Sequence, residues 1–407
     1  MAITGNSKLP MSRVPRISAG AGFALLSEVR VLDLTTSVAG PYATMLLADF
    51  GAEVIKVERP QGDDARHWGP PFLDGEGLWF LSVNRNKKSV VLDLTTEDGR
   101  ADLFKLAKRC DVVVSNQPLS VQRKLGLTAA EFRAVRPDII MTTITGFGLT
   151  GVRADLACYD LIAEGHSGIM DITGAADSDP QKIGAPAADM LAGQDAALAT
   201  LAALMDRART GQGHDIDIAL AESMTRFLAC RISSYMGSGE VPKRSGGTDS
   251  VIAIYQPFDT KDHPITLGLG SDAIWRRFWT ALDQPERAGN PDHGSNAARR
   301  AHRAQIVADI QDILRGRDRA TWLARFAEAR VPAGPINSVD QVVADAGFQE
   351  RSLIATLDDG GRLTPHIGLG IHIDGQTARP RAAAPRLGAD TDAVLGRQSS
   401  RKHGDIT

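Results

Sequence analysis

Apolar and polar residues alternate with two different periods along the first half of the chain. Residues 29–34 (VRVLDL) form a short apolar run that ends in the turn-forming cluster Thr35, Thr36, Ser37 and then Gly40-Pro41, which predicts a strand. Pro41 suits the first turn of a helix, where its missing N–H costs nothing. Tyr42, Leu46, Leu47 and Phe50 then recur at helical spacing on one face, and Gly51 marks the end of that helix. Residues 53–57 read as a second strand, so the order is β-α-β with parallel pairing and a right-handed crossover. The rhythm continues with a strand at 89–94, a helix at 97–109 carrying Leu103, Leu106 and Ala107 inward, a strand at 111–115 and another at 138–144.

A Gly/Asp/Pro-rich span at 168–186 precedes an Ala-rich helix at 190–209, and 214–220 (HDIDIAL) alternates like a half-exposed strand. From about Arg226 the pattern changes. Gly, Ser and Pro become frequent, Trp275, Phe278 and Trp279 cluster, and the charge-rich stretch 287–319 lacks the earlier β-α rhythm. The predicted fold class is α/β: a Rossmann-like large domain on a parallel sheet plus a smaller inserted α+β domain. The expected boundaries are a loose tail at 1–26, the large domain at 27–225 and 332–397, the small domain at 226–331 and a polar tail at 398–407.

The first turn argues against a dinucleotide site. A buried pyrophosphate needs Gly-x-Gly-x-x-Gly between strand and helix so that it can approach the backbone. Here the turn holds the single Gly40, followed by a proline without a donor N–H. A different ligand at the same end of the sheet is expected, one that carries an adenine nucleotide, and no nicotinamide cofactor.

Composition narrows the class further. The 407 residues are 43% hydrophobic and 23% charged with a net charge of −3, which suits a two-domain enzyme and speaks against a nucleic-acid surface. Cys110, Cys158 and Cys230 are too widely spaced for a metal or disulfide pattern, so no metal and a reducing cytoplasm are expected. No apolar run approaches membrane length, and residues 1–26 lack the apolar core of a signal peptide.

The runs AGPYATMLLADFGAEVIKVERP, NRNKKSVVLDL, TGFGLTG, YDLIAEGHSGIMDITG, ADMLAGQDAALATLAAL and RARTGQGHDIDIALAE occur in this order over residues 27–397. In them the chain resembles class III CoA-transferases, the CaiB/BaiF family. The resemblance implies that coenzyme A enters as part of an acyl-CoA substrate, that a carboxylic acid is the second substrate, and that the nucleophile is Asp189. It implies aspartyl anhydride and aspartyl-CoA thioester intermediates and an interlocked homodimer. Val38, Ala39, Arg59, Leu92 and Asn116 match positions that line the CoA site. Lys124 stands where the family often has an arginine directed at the CoA phosphates, and Tyr159 and Asp160 match positions near the acyl group. Gly246 and Gly247 would supply a mobile loop over that group. The run 84–88 (NRNKK) is a candidate phosphate neighbourhood.

Apart from the resemblance, Asp189 reads as a helix N-cap, and a carboxylate there is held ionised by the helix dipole and backbone donors. In place of the family's Asn-Phe-x-Pro-Gly run this chain has Asn116-Gln117-Pro118-Leu119-Ser120, which puts the contacts of that loop in question. An α-methylacyl-CoA racemase shares the CoA site but needs a second acid/base. That branch pairs the Asp with a Gly-His-Asp run, replaced here by Cys158-Tyr159-Asp160, and a phenol titrating near about 10 is a poor base at neutral pH. A CoA-binding protein without catalysis is the remaining alternative.

Overall fold

The computed structural model describes residues 10–397. The chain forms two compact units. Among the described residues, one comprises 10–169, Lys182–Gly237 and 343–397, and the other comprises Met170–Gln181 and Ser238–Val342. The small unit therefore begins after residue 237 and also takes in 170–181. The change of pattern at Arg226 reflects loss of the β-α rhythm, since the helix Ala229–Ser238 still follows it.

The large unit is built on six parallel strands: β1 Arg30–Leu34, β2 Glu53–Glu58, β3 Lys87–Val91, β4 Val112–Ser115, β5 Ile140–Thr145 and β6 Asp215–Ala219. Their order is β3-β2-β1-β4-β5-β6, the doubly wound arrangement in which two β-α-β halves run outward from β1 and β4. Val31, Leu32, Val112 and Val113 are fully buried, which is why the central strands read as continuous apolar runs. β6 lies at the edge, and its alternation leaves Asp215 exposed and Ala219 buried.

α1 (Ala39–Asp49) departs from the amphipathic helix expected of it. Nine of its eleven residues are buried, while Tyr42 and Leu46 are only partly so. The cause is a second layer: α1 packs on the sheet and also against the long helix α4 (Ala187–Thr210). A Cβ at Gly193 would lie 2.7 Å from the Ala39 carbonyl and 2.9 Å from the Tyr42 ring, so only glycine permits this approach. α2 (Glu97–Ala107) starts where the sequence predicts, because the Thr96 hydroxyl accepts from the Gly99 N–H at 3.1 Å and Glu97 and Asp98 fill the first turn. α3 (Asp160–Ser167) and α5 (Leu220–Phe227) complete the face around α4.

Arg16–Ser18 belongs to a second sheet, pairing in parallel with Ile354–Asp359, which in turn pairs with Arg362–Ile367. This part of the expected loose tail is thus ordered by a strand from the far end of the chain, a long-range pairing that no local pattern reveals. The expected polar tail at 398–407 lies outside the described residues. In the small unit, the antiparallel strands Tyr255–Phe258, Ile265–Gly268 and Ala333–Pro335 are accompanied by helices. Its core gathers Trp275, Phe278, Trp279, Trp322 and Phe326 with Ile306, Ile310 and Leu314. The last three lie four residues apart on Arg303–Leu314, so the charge-rich stretch is helical with a narrow apolar stripe.

Candidate active site

The carboxyl ends of the strands open on a cavity of about 300 Å³ that includes Thr36, Arg59, Leu92, Asn116, Gln117 and Pro118 in its wall. It lies where the strand order reverses between β1 and β4, the position at which open α/β sheets bind ligands. Arg59, Leu92 and Asn116, separate in sequence, are brought together here. Asn116 fastens the wall: its Oδ1 accepts from the Thr36 N–H at 2.9 Å and its Nδ2 donates to the Thr36 carbonyl at 2.8 Å. The exposed Arg59 donates to the Gly62 carbonyl at 3.0 Å and pairs with Asp64. Gln117 and Pro118 keep the divergent loop on the cavity wall. Lys124 is exposed in the last turn of the helix Leu119–Leu125, outside the wall that Leu125 and Leu127 join.

Val38 and Ala39 are buried at the start of α1. Val38 also lines a second, mostly apolar cavity of about 460 Å³ with Tyr42, Trp79, Arg85, Pro186 and Met190. The N-terminal ends of α1 and α4 therefore share one space.

Beneath the first turn lies a charge network that sequence reasoning missed. Lys87 Nζ donates to Asp33 at 3.0 Å, to the Pro41 carbonyl at 2.8 Å and to Asn84 Oδ1 at 2.8 Å, with Lys87 and Asp33 side chains inaccessible to solvent. Lys56 Nζ donates to the Thr35 carbonyl and pairs with Asp63, both at 2.8 Å, and Asp63 accepts from the Ser37 N–H at 3.0 Å. Burial works against the Asp33 charge, but Lys87, Lys56 and the Thr35 and Thr44 hydroxyls outweigh it and hold the carboxyl below its ordinary range. Burial lowers Lys87 to about 8, against the pull of Asp33. The available signal was a charged residue inside an apolar strand, Asp33 in VLDL and Lys56 in VIKV.

This network corrects the reading of 84–88 as a phosphate neighbourhood. Arg85 is held by Asp49 at 3.0 and 2.6 Å, Lys87 is enclosed, and Lys88 pairs with Glu53 at 2.6 Å. The run enters β3, and the carboxylates of neighbouring elements pair with Arg85, Lys87 and Lys88.

Asp189 is the third residue of α4, which starts at Ala187 instead of 190 and has Pro186 before it without a side-chain cap. Asp189 is thus not the N-cap. The cap comes from α3: Asp160 Oδ1 accepts from the Ala188 N–H at 2.8 Å and the Asp189 N–H at 3.2 Å. Among the described residues no hydrogen bond reaches the Asp189 carboxylate. Burial, followed by the charge of Asp160, raises it from 3.8 to about 7, the reverse of the expected dipole effect. Cys158 lies alongside, raised to about 11 by burial and then by Asp189. A Cβ on Gly146 would fall 2.1 Å from that of Cys158, so this glycine lets the segment before α3 come close. Tyr159 is 74% exposed, and the His166 ring packs edge-on against Phe147 at 4.7 Å.

Gly246 and Gly247 belong to the small unit. Gly246 has φ +61° and donates to the Gly174 carbonyl at 2.9 Å, while Gly247 lines a cavity of about 600 Å³ with Tyr255, Pro257 and Pro332.

The sequence model of CoA-transferase family III matches residues 26–391. The succinate–glutarate CoA-transferase of Agrobacterium fabrum is 37% identical over 378 residues, covering 91% of this chain and 94% of that protein. The succinyl-CoA–D-citramalate CoA-transferase of Chloroflexus aurantiacus is 35% identical, covering 94% of each. The crystal structure of a CaiB/BaiF family protein from Brucella suis superposes with a TM-score of 0.81 at 37% identity, over 92% of this chain and 99% of that one.

Proposed function

The chain belongs to CoA-transferase family III, and we propose that it moves CoA from succinyl-CoA to a second dicarboxylic acid with Asp189 as the nucleophile. The single observation that carries the assignment of Asp189 is its carboxylate at the start of α4, raised to about 7 and free of hydrogen bonds among the described residues. A more basic carboxylate is a stronger nucleophile once ionised. The dicarboxylic substrates are inferred from the similarity to enzymes that act on succinate, glutarate and citramalate.

In the proposed cycle an Asp189 oxygen attacks the thioester carbonyl, the C–S bond breaks, and CoA leaves as thiolate. The thiolate attacks the aspartyl carbonyl of the mixed anhydride, releases the donor acid and leaves an aspartyl-CoA thioester. An acceptor carboxylate reverses the two steps. The adenine end is placed in the cavity walled by Arg59, Leu92 and Asn116, and the chain beyond it runs past Val38 toward α4. Acylation removes the negative charge that Asp189 holds beside Asp160, so the repulsion present in the free enzyme is relieved as the first bond forms. The site also has to exclude water, since anhydride and thioester both hydrolyse.

We place two copies in the working enzyme. Leu161, Ile162, Leu198, Met205 and Phe227 are large apolar side chains exposed on α3, α4 and α5 of a single chain, a pattern that a second copy would cover. Sedimentation that reports a fully active monomer would remove this part of the reading.

The test of function is intact-mass measurement after incubation with succinyl-CoA, followed by hydroxylamine or borohydride trapping and peptide mapping. A CoA-sized adduct on Asp189, absent in Asp189→Ala, is expected. No adduct from any acyl-CoA, together with deuterium exchange at the substrate α-carbon, would replace the transferase reading with racemisation.

A further inference from the structure

Next to Asp160, which caps the helix that carries Asp189, sits a carboxyl group that the catalytic cycle does not use. Glu164, one turn after Asp160 on α3, is 0% exposed. Its Oε2 accepts from the Ile183 N–H at 2.8 Å, and its Oε1 has no donor among the described residues. The nearest carboxyl is that of Asp160, close enough for a side-chain hydrogen bond when one of the two carries a proton. Burial pushes Glu164 up, and the Asp160 charge adds to the effect. Two touching carboxyls do not both ionise readily at neutral pH.

The surroundings decide which one keeps the charge. Asp160 receives two backbone N–H groups at the start of α4, where the positive end of a 24-residue helix favours an anion. Glu164 receives one and is fully enclosed. We propose that Glu164 is held as a carboxylic acid donating to an ionised Asp160, and that this pair is a positioning device which fixes Asp189 on its helix and keeps one negative charge behind it.

The proposal rests on Asp189 being the nucleophile, and it assigns Asp160 a place behind that residue, acting through it. Other charged and titratable groups on the packed elements are accounted for. Lys182 lies beside Glu164 and donates to the Ile183 carbonyl at 3.1 Å, and Cys158 lies beside Asp189. On α1, Asp49 is paired with Arg85, and Tyr42 is raised by its own burial. On α5, Arg226 is paired with Asp195 of α4, and neither Glu222 of α5 nor His166 of α3 is among the groups that raise Asp189.

The experiment reads Asp189 directly, without turnover: carbodiimide labelling of the full-length protein as a function of pH, with the Asp189 peptide quantified by mass. Asp160→Asn keeps an oxygen for the Ala188 N–H but removes the charge. Its labelling midpoint is expected to fall by about one pH unit, with kcat reduced more than KM changes. Glu164→Leu removes the donor to Asp160 and should slow transfer about tenfold, the worth of one lost hydrogen bond. Glu164→Gln, whose amide N–H replaces the acid proton, should recover most of that rate. An unchanged midpoint in Asp160→Asn, or a Glu164→Gln variant no better than Glu164→Leu, overturns the proposal. If the midpoint shifts as expected while no acyl-CoA gives an adduct, the carboxyl pair stands and the transferase assignment of Asp189 fails.

Discussion

Two of the places where the large unit buries charge treat it in opposite ways. Under the first β-α turn, Asp33 and Asp63 meet Lys87 and Lys56, and backbone donors and acceptors take up much of what remains. At the start of α4, Asp189, Asp160 and Glu164 come together with no cation paired to Asp189 among the described residues. Loss of solvent pushes the carboxyl up in both places; in the first the lysines and hydroxyls outweigh it and Asp33 ends low, while in the second the neighbouring Asp160 adds to it and Asp189 ends high. Compensated burial fixes a wall; uncompensated burial stores reactivity.

Asp189→Asn breaks the comparison most sharply. Transfer should fall by on the order of 10⁴ or more, as for loss of a nucleophile acting within a unit. The folded protein should nevertheless gain stability. Asp189 titrates at about 7 when folded against 3.8 ordinarily, so between those values the folded state holds more protons and loses stability as pH rises. The variant's advantage should be absent below about pH 4 and complete above about pH 7, at roughly 1–2 kcal/mol after solvent screening. Denaturant titrations of both proteins at pH 4, 6 and 8 check the sign. A variant less stable than the parent at pH 8 would mean that the Asp189 charge is compensated.

Lys87→Met attacks the other region and should do the reverse. It strips Asp33 of its ion pair and leaves the Pro41 carbonyl and Asn84 Oδ1 without that donor. A loss of about 3 kcal/mol in urea unfolding is expected, the usual cost of breaking a buried pair from one side. Replacing Asp33 by Asn in the same chain should restore part of it, because the uncompensated charge is then gone.

The two regions also differed in how far the sequence disclosed them. β1, β2, β4 and β5 are buried on both faces, so their apolar runs were legible with ends accurate to a residue or two. β3 was read late because Lys87 and Lys88 look like loop residues, and only the fold reveals that Asp33, 54 positions earlier, neutralises one of them. The start of α4 was misplaced for a related reason. Its cap is Asp160, 28 residues upstream, and nothing in Pro186-Ala187-Ala188-Asp189 announces a helix terminus supplied from elsewhere. The CoA-transferase character was carried by motif order, whereas the raised carboxyl depends on neighbours that sequence spacing does not place.

Asn116→Ala sharpens the comparison from the side of the wall. It removes both bonds that tie β4 to Thr36, part-buried and neutral. About 1 kcal/mol of stability should be lost for each, with KM for acyl-CoA rising about tenfold while the pH midpoint of kcat stays near that of Asp189. A shift in that midpoint would mean that the wall and the nucleophile are coupled.

Lys124→Ala carries the smallest expected effect. The side chain is exposed in the last turn of Leu119–Leu125, and it stands beyond the cavity wall, close in sequence to Leu125 and Leu127, which do line it. An ammonium there can meet a phosphate only across solvent, where one ion pair is worth about 0–1 kcal/mol. KM for acyl-CoA should therefore rise about two- to fivefold at low ionic strength and converge with the parent as salt screens the contact. The chain's stability and its pH profile should not move, because Lys124 belongs to neither of the two buried regions. A KM that is unchanged at every salt concentration would place the CoA phosphates elsewhere, with Arg59 the remaining exposed cation on the cavity wall.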